Sequence, residues 1–242
     1  MRWLVGTSGF GYDEWSGSFY PDDLPGAQRL RFYAERLPAV EINQTFRQMP
    51  RAALLARWAE RVPPGFRFAL KAPRRISHAG QGADVDGPLA HLFEVAGALG
   101  EARGPVLIQL PPWARRDVDR LRRLLRAAPP EQALAFEFRH ASWQDAQVYD
   151  ALRAANAALC IADGDGGAPA APLVATARFG YLRLRAPAYD DAALGAWCDA
   201  IRAQGWDEAF VFFKHEAAGA APALAARLLA IATGAAPGPP AA

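Results

Sequence analysis

Short apolar runs alternate along the chain with longer stretches in which apolar residues recur at helical spacing. In the longer stretches the period is 3.6 residues, as in Leu30, Tyr33, Ala34 and Leu37. The short runs are candidate strands at residues 3–5, 40–43, 66–71, 106–110, 134–139, 158–163, 181–185 and 209–214. Strand and helix patterns that alternate in this way predict repeated βα units and a parallel sheet.

Eight βα units within about 235 residues predict a closed (β/α)8 barrel, a TIM barrel of the α/β class, as one domain over residues 1–233. A doubly wound open sheet shares this alternation, but GTSGFG at 6–11 does not match the GxGxxG turn typical of that fold. Residues 164–180, rich in Gly, Pro and Ala, predict either a degenerate helix or a long loop over the barrel mouth. We expect the non-periodic tail, 234–242, to be disordered.

Composition narrows the class of protein. A hydrophobic content of 52% over 242 residues excludes global disorder. No apolar run approaches the ~18 residues of a membrane span, and the N-terminus lacks signal-peptide features, so we expect a cytoplasmic protein with no membrane partner. Cys160 and Cys198 lie in apolar segments without metal-binding or redox spacing, which predicts buried, reduced thiols.

The formal net charge of +2 is too small to require a polyanionic partner. The kind of positive charge is more informative, because only two of the 27 basic residues are lysines. Lys71 and Lys214 both lie at the ends of predicted strands. Lysine offers a compact, titratable point charge that arginine does not replace.

Alternate residues of a barrel strand point into the interior, and barrel active sites lie at the carboxyl ends of the strands. In the second strand, Val40 and Ile42 are expected to face the helices while Glu41 and Asn43 point inward. The first strand delivers Thr7 and Ser8 just past its end. The same reading directs a larger polar set to this end of the barrel: Lys71, Gln109, Glu137, Arg139, Asp163, Arg183, Arg185 and Lys214.

Two interpretations of this set stay open, because burying many ionisable groups is costly unless they pair with one another or with a ligand. One is a self-contained network with Glu41–Lys71 and Glu137–Arg139 ion pairs. The other is a pocket for a small or extended anionic ligand. Five cations facing three carboxylates, a local charge of about +2 if all are ionised, favour the pocket.

The first function hypothesis is an enzyme that acts on a phosphorylated or otherwise anionic small substrate, of the hydrolase or lyase class. Lys71, Arg139 and Arg183 would bind the anion, and Glu41 or Glu137 would act as general acid or base. The predicted catalytic set is Glu41, Lys71, Glu137 and Asp163. Further predicted substrate-binding residues are Asn43, Gln109, Arg185 and Lys214, with three histidines that follow strand ends, His78, His140 and His215.

The loop after the first strand, GFGYDEWSGSFYP, is unusually aromatic. Tyr12, Trp15 and Tyr20 are predicted to contact substrate, because such rings stack on sugars or bases. The alternative is a loop pinned to the barrel by its own hydrophobic residues. The second function hypothesis, a nucleic-acid-binding barrel that need not be catalytic, uses these rings for bases and the arginines for phosphates. The small net charge counts against it.

No cofactor is predicted. Histidines together with Glu41, Glu137, Asp163 and Glu216 could bind a divalent metal such as zinc or manganese. No HExxH or comparable spacing supports a metal site, so no metal ligands are assigned. The sequence does not identify a protein partner.

Several motifs resemble one known family, the domain-of-unknown-function 72 (YecE-like) family. They occur in order along nearly the whole chain, as GTSGFGYDEWSGSFYP at 6–21, VEINQTFRQMP at 40–50, FALKAPRRISH at 68–78, LIQLPPW at 107–113, FEFRHASW at 136–143, YLRLRAP at 181–187 and FVFFKHE at 210–216.

The resemblance implies a TIM barrel without an assigned biochemical role. The characteristic residues that it implies are Trp15, Tyr20, Glu41, Asn43, Thr45, Phe46, Lys71, His78, Gln109, Pro111, Pro112, Glu137, Arg139, His140, Trp143, Asp163 and Arg183. The chain departs from a common family pattern at RLRAP, where many members have Arg-x-His-Gly, and at FFKHE, where many have Phe-x-Asn-Asn. Similarity to xylose-isomerase and endonuclease-IV barrels is an analogy of fold only, since carboxylates and histidines are too few for a trinuclear site.

Overall fold

Eight parallel strands form a closed barrel in chain order, with β8 pairing back to β1. The computed structural model describes residues 1–80, 83–163, 172–186, 188–214 and 219–235. All eight predicted strands are present, which confirms the TIM-barrel prediction. Their bounds are β1 Arg2–Ser8, β2 Ala39–Ile42, β3 Arg67–Lys71, β4 Arg103–Gln109, β5 Leu134–Glu137, β6 Ala158–Ala162, β7 Phe179–Leu184 and β8 Glu208–Phe213.

The helices surround this barrel. They are α1 Arg29–Ala34, α2 Ala52–Ala59, α3 Arg74–Ser77, α4 Asp86–Gly97, α5 Val118–Arg126, α6 Ala146–Ala154, α7 Asp191–Arg202 and α8 Ala220–Thr233. Between β6 and β7, the described residues 172–178 contain no helix; residues 164–171 lie outside the described ranges. Of the predicted tail only Gly234 and Ala235 are described, and Gly234 follows α8 with a φ of 68°.

The strand alternation divides the hydrophobic residues into two separate cores. Outward residues such as Val40, Phe136 and Leu182 pack with the helices. Inward residues such as Ala69, Leu107 and Phe212 fill the barrel interior. The period-2 pattern of the strands therefore assigned inside and outside correctly at these positions.

Large and small side chains occupy opposite parts of the barrel interior. Strands β7 and β8 contribute aromatic rings, among them Tyr181 and Phe210. Strands β2, β3, β5 and β6 contribute alanines, such as Ala39 and Ala135. The small residues leave room for the large ones, so the long Tyr181 side chain reaches across the barrel toward β2.

Close packing between β1, β2 and α1 fixes the first strand. The Tyr33 hydroxyl of α1 donates to the Ala39 carbonyl at 2.9 Å and accepts from the Thr7 amide at 2.8 Å. A Cβ at Gly6 would lie only 1.8 Å from the Ala39 oxygen, so only glycine fits there. This packing sets the position of Ser8, the last residue of β1.

Aspartates begin three of the outer helices. Asp117, Asp145 and Asp190 each accept a hydrogen bond from a backbone amide in the first turn of α5, α6 and α7, at 2.8–2.9 Å. Cys160 and Cys198 are buried free thiols, as expected. None of the described helices combines the length and apolar character needed to cross a bilayer.

Candidate functional site

The Glu137 carboxylate is the centre of a buried polar network at the carboxyl end of the barrel. It ends β5 and is 2% exposed. Its Oε2 accepts from Gln109 Nε2 at 2.7 Å and from an Arg183 terminal nitrogen at 2.7 Å. Its Oε1 accepts from Arg185 at 2.9 Å and from Arg139 Nε at 3.0 Å. Four donors therefore saturate this carboxylate.

Glu41 on β2 is the second buried carboxylate of the network. Its Oε1 accepts from the Ser8 hydroxyl at 2.8 Å and from Arg183 at 2.9 Å. Its Oε2 accepts from the Tyr181 hydroxyl at 2.8 Å. The Arg183 guanidinium thus bridges Glu41 and Glu137 across the barrel, in a geometry suited to its fork of donors.

We call these eight residues the paired network: Ser8, Glu41, Gln109, Glu137, Arg139, Tyr181, Arg183 and Arg185. Of the two ion pairs that the self-contained interpretation expected, Glu137–Arg139 is present. Glu41 pairs with Arg183 instead of Lys71. The physical reason is the bridging position of Arg183, which the strand alternation places between both carboxylates.

The charges of the network hold both carboxylates ionised. Burial alone would raise the pKa of Glu137, but the Arg183, Arg185 and Arg139 charges outweigh burial and hold that pKa well below its usual range. For Glu41, the Arg183 charge and the Ser8 and Tyr181 hydrogen bonds likewise overcome burial and lower the pKa. Carboxylates in this state carry no proton to donate at neutral pH and accept one poorly, which disfavours the predicted acid–base role for either residue.

Lys71, the last residue of β3, differs from the other cations of the site. Its partly buried ammonium makes no hydrogen bond or ion pair within the described parts of the chain, and it lies 4.2 Å from the centre of the Phe46 ring. Burial and the Arg183 charge lower the pKa of Lys71 to about 8, although Glu41 and Glu137 oppose the shift. Among the described residues, Lys71 therefore forms no ion pair with either buried carboxylate.

Asn43 follows β2 beside this lysine, since β2 and β3 pair in parallel with Ile42 opposite Leu70. Its Oδ1 atom is buried and has no hydrogen-bond partner among the described residues. The Thr45 hydroxyl lies 2.9 Å from the Ile42 oxygen and 2.6 Å from the Lys71 oxygen, and so ties the ends of the two strands together. A rigid backbone therefore presents Asn43 and Lys71 side by side.

An aromatic row extends from Lys71 toward solvent. The His78 ring lies 5.2 Å from the Phe46 ring and 5.6 Å from the Trp113 ring, in both cases edge-on. His78 Nδ1 lies 2.9 Å from the Ser77 hydroxyl, and its Nε2 has no hydrogen bond within the described residues. Burial, with the Arg74, Lys71 and Arg139 charges, lowers the pKa of His78, so the imidazole is neutral near pH 7. We call Asn43, Phe46, Lys71, His78 and Trp113 the open edge.

The first loop packs against the barrel by its own aromatic residues. Trp15 and Tyr20 are 0% and 1% exposed, and their rings pack with Phe19. Tyr12 is partly exposed, donates to the Ser8 carbonyl at 2.6 Å and contacts Trp15 at 4.8 Å between ring centres. Direct ligand contact by Trp15 or Tyr20, as predicted, would require this loop to open.

The remaining predicted residues lie around the rim. Asp163 Oδ1 accepts from the Arg185 amide and its Oδ2 from the Tyr189 hydroxyl, both at 2.7 Å, so its carboxylate holds the end of β7 rather than joining the paired network. His140 Nδ1 accepts from the Ser142 amide at 3.1 Å and caps a short turn. Lys214 is exposed just beyond β8. His215 lies outside the described residues.

Within the described ranges, no three His, Cys, Asp or Glu side chains lie together as a metal-binding group. Glu216, which the metal alternative also used, lies outside those ranges.

Three residues of the site were not among the predicted ones. Tyr181 lies two residues before Arg183 on the same face of β7, so the alternation of that strand already indicated an inward side chain. Phe46 was one of the residues implied by the family resemblance. Trp113 follows the proline pair after β4, where no periodic pattern indicates the direction of a side chain.

Comparison with known proteins gives a consistent picture. The family described as "Protein of unknown function DUF72" matches residues 4–241. Solved structures of DUF72 family proteins from Enterococcus faecalis and Thermotoga maritima have the same fold. The first aligns with a TM-score of 0.80 at 20% identity, covering 96% of both chains. The second aligns with a TM-score of 0.78 at 24% identity, covering 93% of this chain and 97% of the other.

The Escherichia coli protein YecE is 29% identical over 116 residues. That match spans 48% of this chain and 43% of YecE, less than half the length of this curated relative. The family match over nearly the whole sequence, together with the shared barrel, confirms the resemblance seen in the motifs. The chain belongs to the DUF72 family of TIM-barrel proteins.

Proposed function

We propose that the chain is an enzyme that binds a small phosphorylated substrate at the carboxyl end of the barrel, with Lys71 as the anion-binding residue and His78 as the proton-transfer residue. The observation that carries this proposal is the Lys71 ammonium, which no described carboxylate neutralises. A buried cation is costly when unpaired, and an incoming anion would remove that cost.

The surroundings of Lys71 support an anion over a neutral or cationic ligand. Every Glu41 and Glu137 carboxylate oxygen already accepts at least one hydrogen bond from another residue, and among the described residues neither carboxylate forms an ion pair with Lys71. The Lys71 ammonium therefore offers its charge to a ligand group of opposite sign.

His78 provides the proton-transfer group of the proposal. A neutral imidazole whose Nδ1 is engaged by Ser77 keeps its Nε2 for a substrate. In the tautomer whose Nδ1 carries the proton and donates to the Ser77 hydroxyl, the neutral imidazole can accept a substrate proton at Nε2 and so act as a general base. Glu137 accepts from four donors and Glu41 from three, and both carboxylates are held ionised, so His78 is the better candidate for proton transfer.

The binding part of the proposal can be tested on the lysines themselves. Only Lys71 and Lys214 occur in the chain, so lysine labelled with carbon-13 at Cε gives two NMR signals, which Lys214→Gln assigns. We expect the Lys71 signal to titrate with a pKa of about 8 in the free protein. Millimolar ribose 5-phosphate should raise that pKa, because an anion stabilises the charged ammonium.

Two variants make this test specific. Lys71→Gln should weaken ribose 5-phosphate binding at least about tenfold, the loss typical of a charged hydrogen bond. Arg31→Gln, a matched charge change on the outer face of α1, should leave the affinity unchanged. A Lys71 titration unaffected by ribose 5-phosphate and by inorganic phosphate would overturn the assignment of an anion site.

The catalytic part needs a separate readout. Incubation with a cell extract of small phosphorylated metabolites, followed by mass spectrometry, should show one anion depleted by the wild-type chain. Lys71→Gln should abolish the depletion. His78→Gln should slow it while the phosphate-dependent shift of the Lys71 signal persists. If no metabolite changes while the Lys71 shift is present, the chain binds anions without catalysis.

A further inference from the structure

We propose that the substrate is a nucleoside phosphate whose base stacks on Trp113 while its phosphate binds at Lys71. This inference rests on the proposed anion site and names the class of molecule that it takes. The geometry that points to it is the open edge, where an exposed aromatic ring lies near the unneutralised cation.

Trp113 is 68% exposed, one of few large hydrophobic side chains in the described residues with so much open surface. Its described ring neighbour is His78, which meets it at an interplanar angle of 77°. An edge-on neighbour leaves a face of the indole free, as stacking with a planar ring requires.

The segment that carries Trp113 is held in place although the side chain is exposed. Pro111 and Pro112 restrict the backbone before it. The amide of Leu110 donates to the Glu137 carbonyl at 2.9 Å, and the Trp143 indole donates to the Ala114 carbonyl at 2.8 Å. These contacts fix the backbone on either side of Trp113, so the point from which the indole extends is set before a ligand binds.

A row of ring contacts connects the cation to the exposed indole. The steps from Trp113 to His78, from His78 to Phe46 and from Phe46 to the Lys71 ammonium are 5.6, 5.2 and 4.2 Å. The Lys71 and Arg139 charges also lower the pKa of His78, as expected of cations near its ring. A nucleoside phosphate is a ligand of this kind, because it joins an anionic group, for Lys71, to a planar ring, for Trp113.

Titration calorimetry with AMP, ribose 5-phosphate and adenosine separates the parts of this ligand. Base–aromatic stacking changes affinity by roughly 5- to 100-fold, so AMP should bind about tenfold more tightly than ribose 5-phosphate. In Trp113→Ala, AMP should bind no more tightly than ribose 5-phosphate. In Trp113→Phe, most of the preference for AMP should return. Trp197→Phe, on α7 away from the mouth, should preserve the wild-type difference.

Each other outcome overturns the inference in a recognisable way. Equal wild-type affinities for AMP and ribose 5-phosphate, both dependent on Lys71, would leave the anion site intact and remove the base. A preference for AMP that survives in Trp113→Ala would place the base elsewhere. Binding of a single-stranded oligonucleotide with no binding of AMP would indicate a polymeric ligand. Failure of every probe to bind would overturn the anion site as well.

Discussion

The paired network and the open edge lie at the same end of the barrel, but they differ in how their charges are balanced. In the paired network, Glu137 accepts from four donors and Arg183 joins it to Glu41. At the open edge, Lys71 has no described ionic partner. Buried polar atoms without a described partner occur on both sides, Arg183 Nε in the paired network and Asn43 Oδ1 at the open edge. The two groups of strand-end residues therefore differ in ion pairing, which is the property that the proposed anion site uses.

This difference has an energetic meaning. Removing one member of a buried network of ion pairs strands the opposite charges, which is strongly destabilising. Removing an unneutralised buried cation relieves a desolvation cost and is expected to stabilise the fold. Substitutions in the paired network should therefore lower the stability of the fold, whereas substitution of Lys71 at the open edge should raise stability and weaken anion binding.

The largest expected effect is at the centre of the paired network. Glu137→Gln leaves Arg139, Arg183 and Arg185 without their common carboxylate and should lower the free energy of unfolding by about 3–5 kcal/mol. Urea unfolding at pH 7 measures it. Asp191→Asn, which breaks an exposed pair with Arg227, is the matched control and should cost less than about 1 kcal/mol. Equal losses in the two variants would contradict the distinction between the regions.

The next effect is the response of the paired network to acid. The pKa values of Glu41 and Glu137 are lowered by folding, so their stabilisation is complete above the unfolded pKa near 4.5 and is lost as pH falls below it. Each group contributes at most about 1.4 kcal/mol per pH unit in that range. Thermal unfolding from pH 6 to pH 3 should show a shallower decline for Glu137→Gln than for the wild type. Parallel curves would mean that Glu137 titrates normally.

A smaller effect of opposite sign is expected at the open edge. Lys71→Met should raise the free energy of unfolding at pH 7 by about 1–2 kcal/mol, because the wild type holds a partly desolvated charge there. Folding lowers the pKa of Lys71 from 10.5 to about 8, so the wild type gains stability as pH rises through that interval. The advantage of the variant should therefore shrink between pH 8 and pH 10.5 in urea titrations. A destabilised variant would show that Lys71 belongs to the paired network.

The smallest expected effect on stability is at Trp113. Because most of its side chain is exposed, Trp113→Ala should change the free energy of unfolding by no more than about 0.5 kcal/mol. Trp143→Ala, which removes a buried indole from a nearby loop, should cost about 3–5 kcal/mol. A large loss of stability at Trp113 would assign that residue to the packing of the fold.

The fold followed from the sequence to a large extent. Eight apolar runs with helical segments between them were enough to predict the barrel. The alternation within VEIN and YLRLR correctly separated Val40 and Leu182 in the outer core from Glu41 and Arg183 in the interior. Period-2 patterns depend on local backbone geometry, so they can be interpreted without knowledge of the partners. Strand ends were less accurate, since Asn43, Arg139 and Asp163 lie just beyond their strands.

The site followed only in part, because pairing depends on distances across the barrel. Glu41 and Arg183 are 142 residues apart in the chain, and nothing in either motif indicates that they meet. The expected Glu41–Lys71 pair was the shorter connection along the sequence, yet the bridging arginine takes its place. Likewise, the aromatic first loop suggested stacking surfaces, whereas Trp15 and Tyr20 are buried against their neighbours.

By itself, the sequence determined the barrel, the inward direction of its polar strand-end residues and the family to which the chain belongs. The tertiary structure alone decided which of these residues neutralise one another and which stay available. The physical reason is that side-chain direction is set within a strand, whereas charge balance and desolvation depend on groups brought together from distant strands. That is why Lys71 differs from Arg183 although both lie at the carboxyl ends of strands of the same barrel.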